Sequence, residues 1–332
     1  LSFSKRHGKS RCQTFKMKLR LNNFHLLIVA GATFIFVSTT AMSINKVATE
    51  RKTDSVSSKV LSAKTFPDNP VLKNGSTFPI LSAQGVMASD LGSSVPLYEK
   101  NTDTKLLPAS TTKIITALVS LDIYELNDVL TVPKGVNVDG QKMGLFTGEQ
   151  MKVEDLLYGL LVYSANDAAM TLAINHPDGY DAFIDAMNKK AIELNMKNSY
   201  FENPVGLDGS SQSTTAKDLL RVSEVAMRNP TFAKIVGTKS IIVTDITGKT
   251  KYNLKNINEL LGNTPGVMGI KTGWTENARE NLVTFVERDG HSVIVVILGS
   301  QDRFGETKEL IDWIFENYEW QKVTIPTPQN SK

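Results

Sequence analysis

Apolar and polar positions alternate with two different periods along this chain, and the order of the periods outlines a fold. After a polar, weakly periodic stretch at 45–78, the pattern tightens at Ile80. Val86-Met87-Ala88 and Val95-Pro96-Leu97-Tyr98 flank Leu91-Gly92-Ser93-Ser94 and predict a hairpin, with Pro96 suited to the start of a strand or to a sheet edge. Helical spacing follows over Thr111 to Leu121, Val153 to Tyr163, Asn166 to Ile174, Tyr180 to Leu194 and Thr215 to Arg228. The period then returns to two. Ser240 to Thr244 and Thr250 to Leu254 surround Thr247-Gly248, and Leu282 to Glu287 and Ser292 to Leu298 surround Asp289-Gly290. A last helix is predicted over Phe304 to Tyr318, with Leu310, Ile311, Ile314 and Phe315 on its apolar face. Strands, helices, strands and a helix predict one α/β unit interrupted by a helical insertion. No internal repeat is present.

Composition changes this picture mainly at the N-terminus. The 332 residues are 41% hydrophobic, enough for a sizeable core. The net charge of +3 misleads, because seven basic residues and no acid lie in residues 1–20. Without those seven, 30 basic residues face 34 acidic ones, a balance of −4 that excludes generic nucleic-acid binding. Phe24 to Ile44 is apolar, and Leu26 to Val37 carries no charge. A basic flank before such a run predicts a membrane signal-anchor or signal peptide, with everything after about residue 45 outside the cytoplasm. Ser38-Thr39-Thr40-Ala41 offers small residues for cleavage, and Met17-Lys18-Leu19-Arg20 reads as the start of an export signal. The expected organisation is a basic cytoplasmic N-terminus (1–22, of which 1–16 is an upstream extension), a membrane segment (23–44), a linker (45–78), a catalytic domain (79–322) and a tail (323–332). Cys12 is the only cysteine, so the exported part has no thiol nucleophile, disulfide or cysteine metal site.

Three short motifs carry the candidate chemistry: Ser110-Thr111-Thr112-Lys113, Ser164-Ala165-Asn166 and Lys271-Thr272-Gly273. Alone, the first two are weak, since Ser2-Phe3-Ser4-Lys5 and Ser43-Ile44-Asn45 also fit them. Context separates the copies. Pro108-Ala109 breaks an extended chain, which puts Ser110 in the first turn of a helix, where free N–H groups and the helix dipole favour a developing anion. Lys113 lies one turn on, within reach of the hydroxyl, and acts as a base only if burial or a cation such as Lys271 lowers its pKa. An N-capping serine beside a surface lysine is the plain alternative. Ser164-Ala165-Asn166 sits in a tight loop between two helical runs, where Ser and Asn serve either as helix caps or as a proton-relaying hydroxyl and a carbonyl-binding amide. Lys271 and Thr272 are candidates for a terminal carboxylate, with Gly273 leaving room for an extended peptide at a strand edge.

With Asn203-Pro204-Val205-Gly206-Leu207-Asp208, and with Trp274-Thr275 after the third motif, the chain from about residue 80 to 320 resembles the low-molecular-weight penicillin-binding D-alanyl-D-alanine carboxypeptidases. The resemblance implies a β-lactamase/transpeptidase-like fold of the α/β (α+β) class, an antiparallel sheet flanked by helices with an inserted all-helical subdomain, and an acyl-enzyme on Ser110 with Lys113 as base and Ser164 passing the proton. It also implies that Asn166 orients substrate, that Lys271 and Thr272 hold the carboxylate, and that the N–H groups of Ser110 and Trp274 form the oxyanion hole. The substrates it implies are peptidoglycan stem peptides ending in D-Ala-D-Ala, with β-lactams as covalent inhibitors and no cofactor or metal. Many relatives carry a further β-rich domain and a C-terminal anchor, a role the N-terminal segment is expected to take here. Relatives often have Gly where this chain has Arg279. The rivals are a serine β-lactamase, against which Glu202 is read as an exposed loop residue, an endopeptidase or transpeptidase on the same scaffold, and an inactive peptidoglycan binder. A Ser-His-Asp hydrolase is excluded by the lack of Gly-x-Ser-x-Gly, and a zinc peptidase by the lack of His-Glu-x-x-His.

Overall fold

The computed structural model describes residues 67–323. The membrane segment and most of the expected linker lie outside the described residues; among those described, no helix is long and apolar enough to cross a membrane. The centre is a five-stranded sheet in the order β3(Pro96–Lys100), β2(Gly85–Asp90), β10(His291–Ser300), β9(Arg279–Arg288), β8(Val267–Thr275). Every neighbouring pair is antiparallel. Pro96 therefore occupies both of its expected places, the first residue of a strand and the sheet edge.

Alternation sorts the strand residues onto two cores. Val86, Ala88, Leu282, Val286, Val293, Val295 and Ile297 pack with Leu310, Ile311 and Ile314 of the last helix, Arg303–Asn317. Met87, Ile270, Val283, Phe285, Ile294, Val296 and Leu298 face a block of helices: α1(Lys113–Ile123), α2(Val153–Leu161), α3(Asn166–Ile174), α4(Tyr180–Glu193), α5(Ala216–Arg228) and α6(Pro230–Val236). The last helix is thus α7. In α1 every residue from Lys113 to Ser120 is buried, which places this helix at the centre of the block. The antiparallel sheet with helices on both faces and a helical block inserted between strands agrees with the expected fold class.

Elements with little local signal appear only in three dimensions. Asn69–Leu72, within the stretch read as linker, form β1 and pair with β11(Tyr318–Gln321) across almost the whole domain. That reading is corrected for residues 67–78: Trp313 Nε1 donates to Thr77 O, and Lys73 Nζ to Glu316 O, so the stretch is tied to α7 by polar contacts that leave no hydrophobic period. The three-residue strands β4(Val129–Thr131) and β5(Gln150–Lys152) pair beneath α2, and β6(Ser240–Thr244) pairs with β7(Lys251–Lys255). Helix α6 begins at an Asn229 whose side chain accepts from Thr231 and Phe232 N–H, with Pro230 in the first turn.

Candidate active site

Ser110 stands on a turn that the surrounding residues force into shape. Ala109 adopts φ 48° and is fully buried, a costly conformation for a residue with a Cβ. Asn281 on β9 holds it there: Nδ2 donates to Leu107 O (2.9 Å) and Pro108 O (3.0 Å), while Oδ1 accepts from Gly299 N (2.8 Å). Thr111 Oγ1 adds a bond to Pro108 O at 2.6 Å. Ser110 lies in the short 3₁₀ turn Ala109–Thr112 that leads into α1, one step ahead of the expected first α-helical turn. Two glycines let other backbone segments close on this turn. A Cβ on Gly206 (φ 88°) would come within 1.9 Å of Ala109 O, and one on Gly273 within 3.2 Å of Ser110 N. Gly206 thus leaves no room for a side chain against the nucleophile turn, and Gly273 leaves little.

Beneath the serine are two fully buried lysines. Lys113 Nζ is 2.9 Å from Ser110 Oγ and donates to Val205 O at 2.6 Å. Val205 is positioned by Asn203, whose Oδ1 accepts from the N–H groups of Val205, Gly206 and Leu207. Burial, and next the charge of Lys271, hold the Lys113 pKa well below that of a free lysine. Lys271 Nζ lies 2.9 Å from Ser164 Oγ and 3.0 Å from Thr272 O, and burial followed by the charge of Arg303 lowers its pKa to about 7. Ser164 carries φ 61°, a second strained residue at the site.

Above them is a cleft of about 600 Å³. Ser110, Ser164, Asn166, Thr272, Gly273 and Trp274 all line it, so the three motifs converge as expected, with Lys113 and Lys271 buried behind the two serines they contact. Trp274 is 62% exposed at its mouth. Two side chains differ from expectation in what they offer. Asn166 Nδ2, expected to bind a substrate carbonyl, is committed to Asp139 O, because Asn166 is tucked beneath Gly140; its buried Oδ1 has no partner among the described residues and is an acceptor. Lys271, expected to meet a carboxylate, is turned inward to Ser164. The neighbouring Asp167 accepts from Met143, Gly144 and Leu145 N–H, which fixes the loop forming the opposite wall.

Arg303, at the start of α7, also lines the cleft and has no counterpart in the motif reading. Its Nη1 is 3.5 Å from Gly273 O and 3.7 Å from Glu280 Oε1, and its buried Nε has no partner among the described residues. Glu202 is half-buried, not exposed as read: its carboxylate accepts from Ser211 N and Ser210 Oγ, closing the 209–212 turn. Arg279 takes φ 60° as it closes the turn from β8 to β9, a position that favours glycine.

The family model described as D-alanyl-D-alanine carboxypeptidase (peptidase S11) matches residues 73–302. D-alanyl-D-alanine carboxypeptidase DacF of Bacillus subtilis is 32% identical over 232 residues, 67% of this chain and 59% of that relative, so the match spans less than two thirds of DacF. DacB2 of Mycobacterium tuberculosis is 33% identical over 242 residues, covering 70% of this chain and 82% of that one. Among solved structures, the Streptomyces K15 DD-transpeptidase superposes with a TM-score of 0.69 at 31% identity, over 73% of this chain and all of the other. With the match extending over most of its length and the fold shared with a solved relative, this chain belongs to the D-alanyl-D-alanine carboxypeptidase family of serine peptidases.

Proposed function

We propose that the cleft removes the terminal D-alanine from peptidoglycan stem peptides through an acyl-enzyme on Ser110. The observation that carries this reading is the 2.9 Å approach of Lys113 Nζ to Ser110 Oγ in a place where the lysine is driven toward its neutral form. A neutral amine has a lone pair to take the hydroxyl proton, and with Val205 O accepting one of its N–H groups it is held in line. As Oγ attacks the penultimate D-alanine carbonyl, its proton passes to Lys113 and the oxygen charge is met by the N–H groups of Ser110 and Trp274. When the C–N bond breaks, the proton travels by way of Ser164 to the departing D-alanine amine. Water then attacks the ester, giving a proton to Lys113, and the C–Oγ bond breaks as that proton returns to Ser110.

The terminal carboxylate is held by Thr272 and Arg303, and Lys271 supports it from below through its bond to Ser164. Asn166 Oδ1 accepts a substrate N–H. Glu202, engaged in its own turn, has no part in activating water, which argues against a β-lactamase of the glutamate-dependent kind. The basic flank and apolar run at Phe24 to Ile44 tether this domain on the outer side of the membrane.

The test is incubation of the full chain with benzylpenicillin, read by intact mass, beside D-alanine release from a D-Ala-D-Ala peptide, with Ser110→Ala in parallel. A stable adduct and D-alanine release, both lost in Ser110→Ala, are expected. Rapid drug turnover without peptide cleavage would assign a β-lactamase. A product joined to an added amine in place of free acid would assign a transpeptidase, the activity in the name of the Streptomyces K15 protein.

A further inference from the structure

One buried side chain reaches both ends of the reacting geometry. Asn281 on β9 has no exposed surface, and the two N–H groups of its amide go to Leu107 O (2.9 Å) and Pro108 O (3.0 Å). Those carbonyls can only accept, so the orientation of the amide is fixed and Oδ1 is turned toward Gly299 N (2.8 Å). Leu107 and Pro108 lead straight into the left-handed Ala109 and the nucleophile. Gly299 lies in a bulge: Ile297 pairs with Leu282 and Ser300 with Glu280, so β10 carries one extra residue opposite Asn281. The chain leaving that bulge carries Arg303, whose backbone N–H is held at 2.9 Å by Glu280, the residue before Asn281.

On the carboxypeptidase reading above, we propose that Asn281 is a positioning residue that sets the gap between Ser110 and Arg303. Removal of one terminal residue requires that gap to be constant, because the penultimate carbonyl must meet Ser110 Oγ while the terminal carboxylate meets Arg303. Strand β9 supplies the reference, since it is paired on both sides, with β8 and with β10. The two segments it orders need holding: Ala109 (φ 48°) is strained, and Gly299 (φ 66°) has the wide freedom of glycine. Asparagine alone makes all three bonds at this depth. Leucine has no polar atom, aspartate lacks the two donors, and glutamine is one methylene longer. A shift of about 1 Å in either segment slows attack on the order of 10²-fold.

Asn281→Asp and Asn281→Ala are prepared in the full chain, and each variant that keeps a cooperative thermal unfolding transition is compared with the wild type. The saturating rate of acylation by benzylpenicillin is expected to fall about 10- to 100-fold, with the half-saturating drug concentration changed less than about threefold. The preference in kcat/KM for a D-Ala-D-Ala peptide with a free carboxylate over its C-terminal amide shrinks at least about threefold. Variants that unfold at lower temperature but acylate at the wild-type rate make Asn281 a structural residue and overturn the proposal. So does slower acylation with the carboxylate preference intact, which cuts the link to Arg303. Wild-type protein that acylates but releases no D-alanine removes the carboxypeptidase reading and this proposal with it, a failure told apart from the other two by its appearance without any substitution.

Discussion

Two concavities lie at opposite ends of β10, about 30 Å of strand apart, and they differ in what their polar groups are doing. The cleft follows Ser300 and Arg303 at one end; the other cavity, of about 510 Å³, surrounds His291 and Trp320 at the other. Both hold a tryptophan and several charges. In the second cavity, however, the buried groups satisfy one another: Trp320 stacks on His291 at 4.5 Å and donates to Asp90 at 2.9 Å, Asp90 also accepts from Ser93 N and Oγ, and the remaining charges, Asp68, Glu224 and Arg228, are open to solvent. Its left-handed residues, Asp289 and Gly290, form the hairpin turn their sequence calls for. In the cleft, left-handed backbone falls on Ala109 and Ser164, which no turn type demands, and Asn166 Oδ1 and Arg303 Nε are buried without partners among the described residues. A cavity with charges is common; unspent hydrogen-bonding capacity beside buried lysines whose pKa is lowered is what separates a reactive cleft from a packed one.

The largest expected effect tests the neutral lysine. Lys113→Ala is expected to slow acylation by benzylpenicillin about 10³-fold, with the fold retained as judged by thermal unfolding. For the wild type, acylation requires unprotonated Lys113, so its rate rises with pH through the lowered pKa and then levels. Since the charge of Lys271 helps to depress that pKa, Lys271→Met removes a repulsion and moves the acid limb of the profile to higher pH. An acid limb that stays put, or moves lower, would break the coupling. The same shifts bear on stability. Between about 7 for Lys271 and the ordinary 10.5, the folded chain binds fewer protons than the unfolded one, so these lysines add stability as pH rises across that window and lose it as pH falls toward 7.

The next effect concerns Arg303, whose unpartnered Nε marks the anion end of the cleft. Arg303→Leu is expected to lower kcat/KM for a peptide with a free C-terminal carboxylate by about 10- to 100-fold, and to leave a C-terminal amide far less affected. An equal loss on both would turn Arg303 into a structural residue. Nothing in the local sequence announces it, because it is one short step past a strand in a helix-capping phrase, 30 residues after Gly273. Asn281 was hidden likewise: its bonds to Leu107 and Pro108 join residues more than 170 positions apart. The three motifs, by contrast, were legible because Ser110 and Lys113 are one turn apart and the phrase around each is short. Period also sufficed for α3, β6 and the hairpin of β2 and β3. It failed for β1 and β11, whose pairing is long-range, and for β4 and β5, three residues each. Period missed α6 as well, although Asn229-Pro230, a cap followed by a proline suited to the first turn, was a signal readable in the sequence. The direction of Asn166 was not, since it depends on Gly140 and Asp139 in a loop that folds over it.

The smallest expected effect falls on the second concavity and sharpens the contrast from the other side. His291 stacks nearly parallel to Trp320 (11°), Trp320 stacks in turn on Phe315, and Trp320 belongs to the strand that pairs with β1. Removing the imidazole uncovers an indole face and weakens the tie between the two ends of the domain. His291→Ala is therefore expected to cost about 1 kcal/mol of stability, seen as a lower urea midpoint with the same m-value, while D-alanine release changes less than about two-fold because the buried carboxylate in that cavity, Asp90, is already engaged. If release fell tenfold in protein that remained folded, the contrast between the two concavities would fail, and coupling along β10 from His291 to Arg303 would have to take its place. Such coupling requires an alternative packing of β10, and the strand offers little room for one: Val293 through Ser300 are buried, wedged between α7 on one face and the helical block on the other.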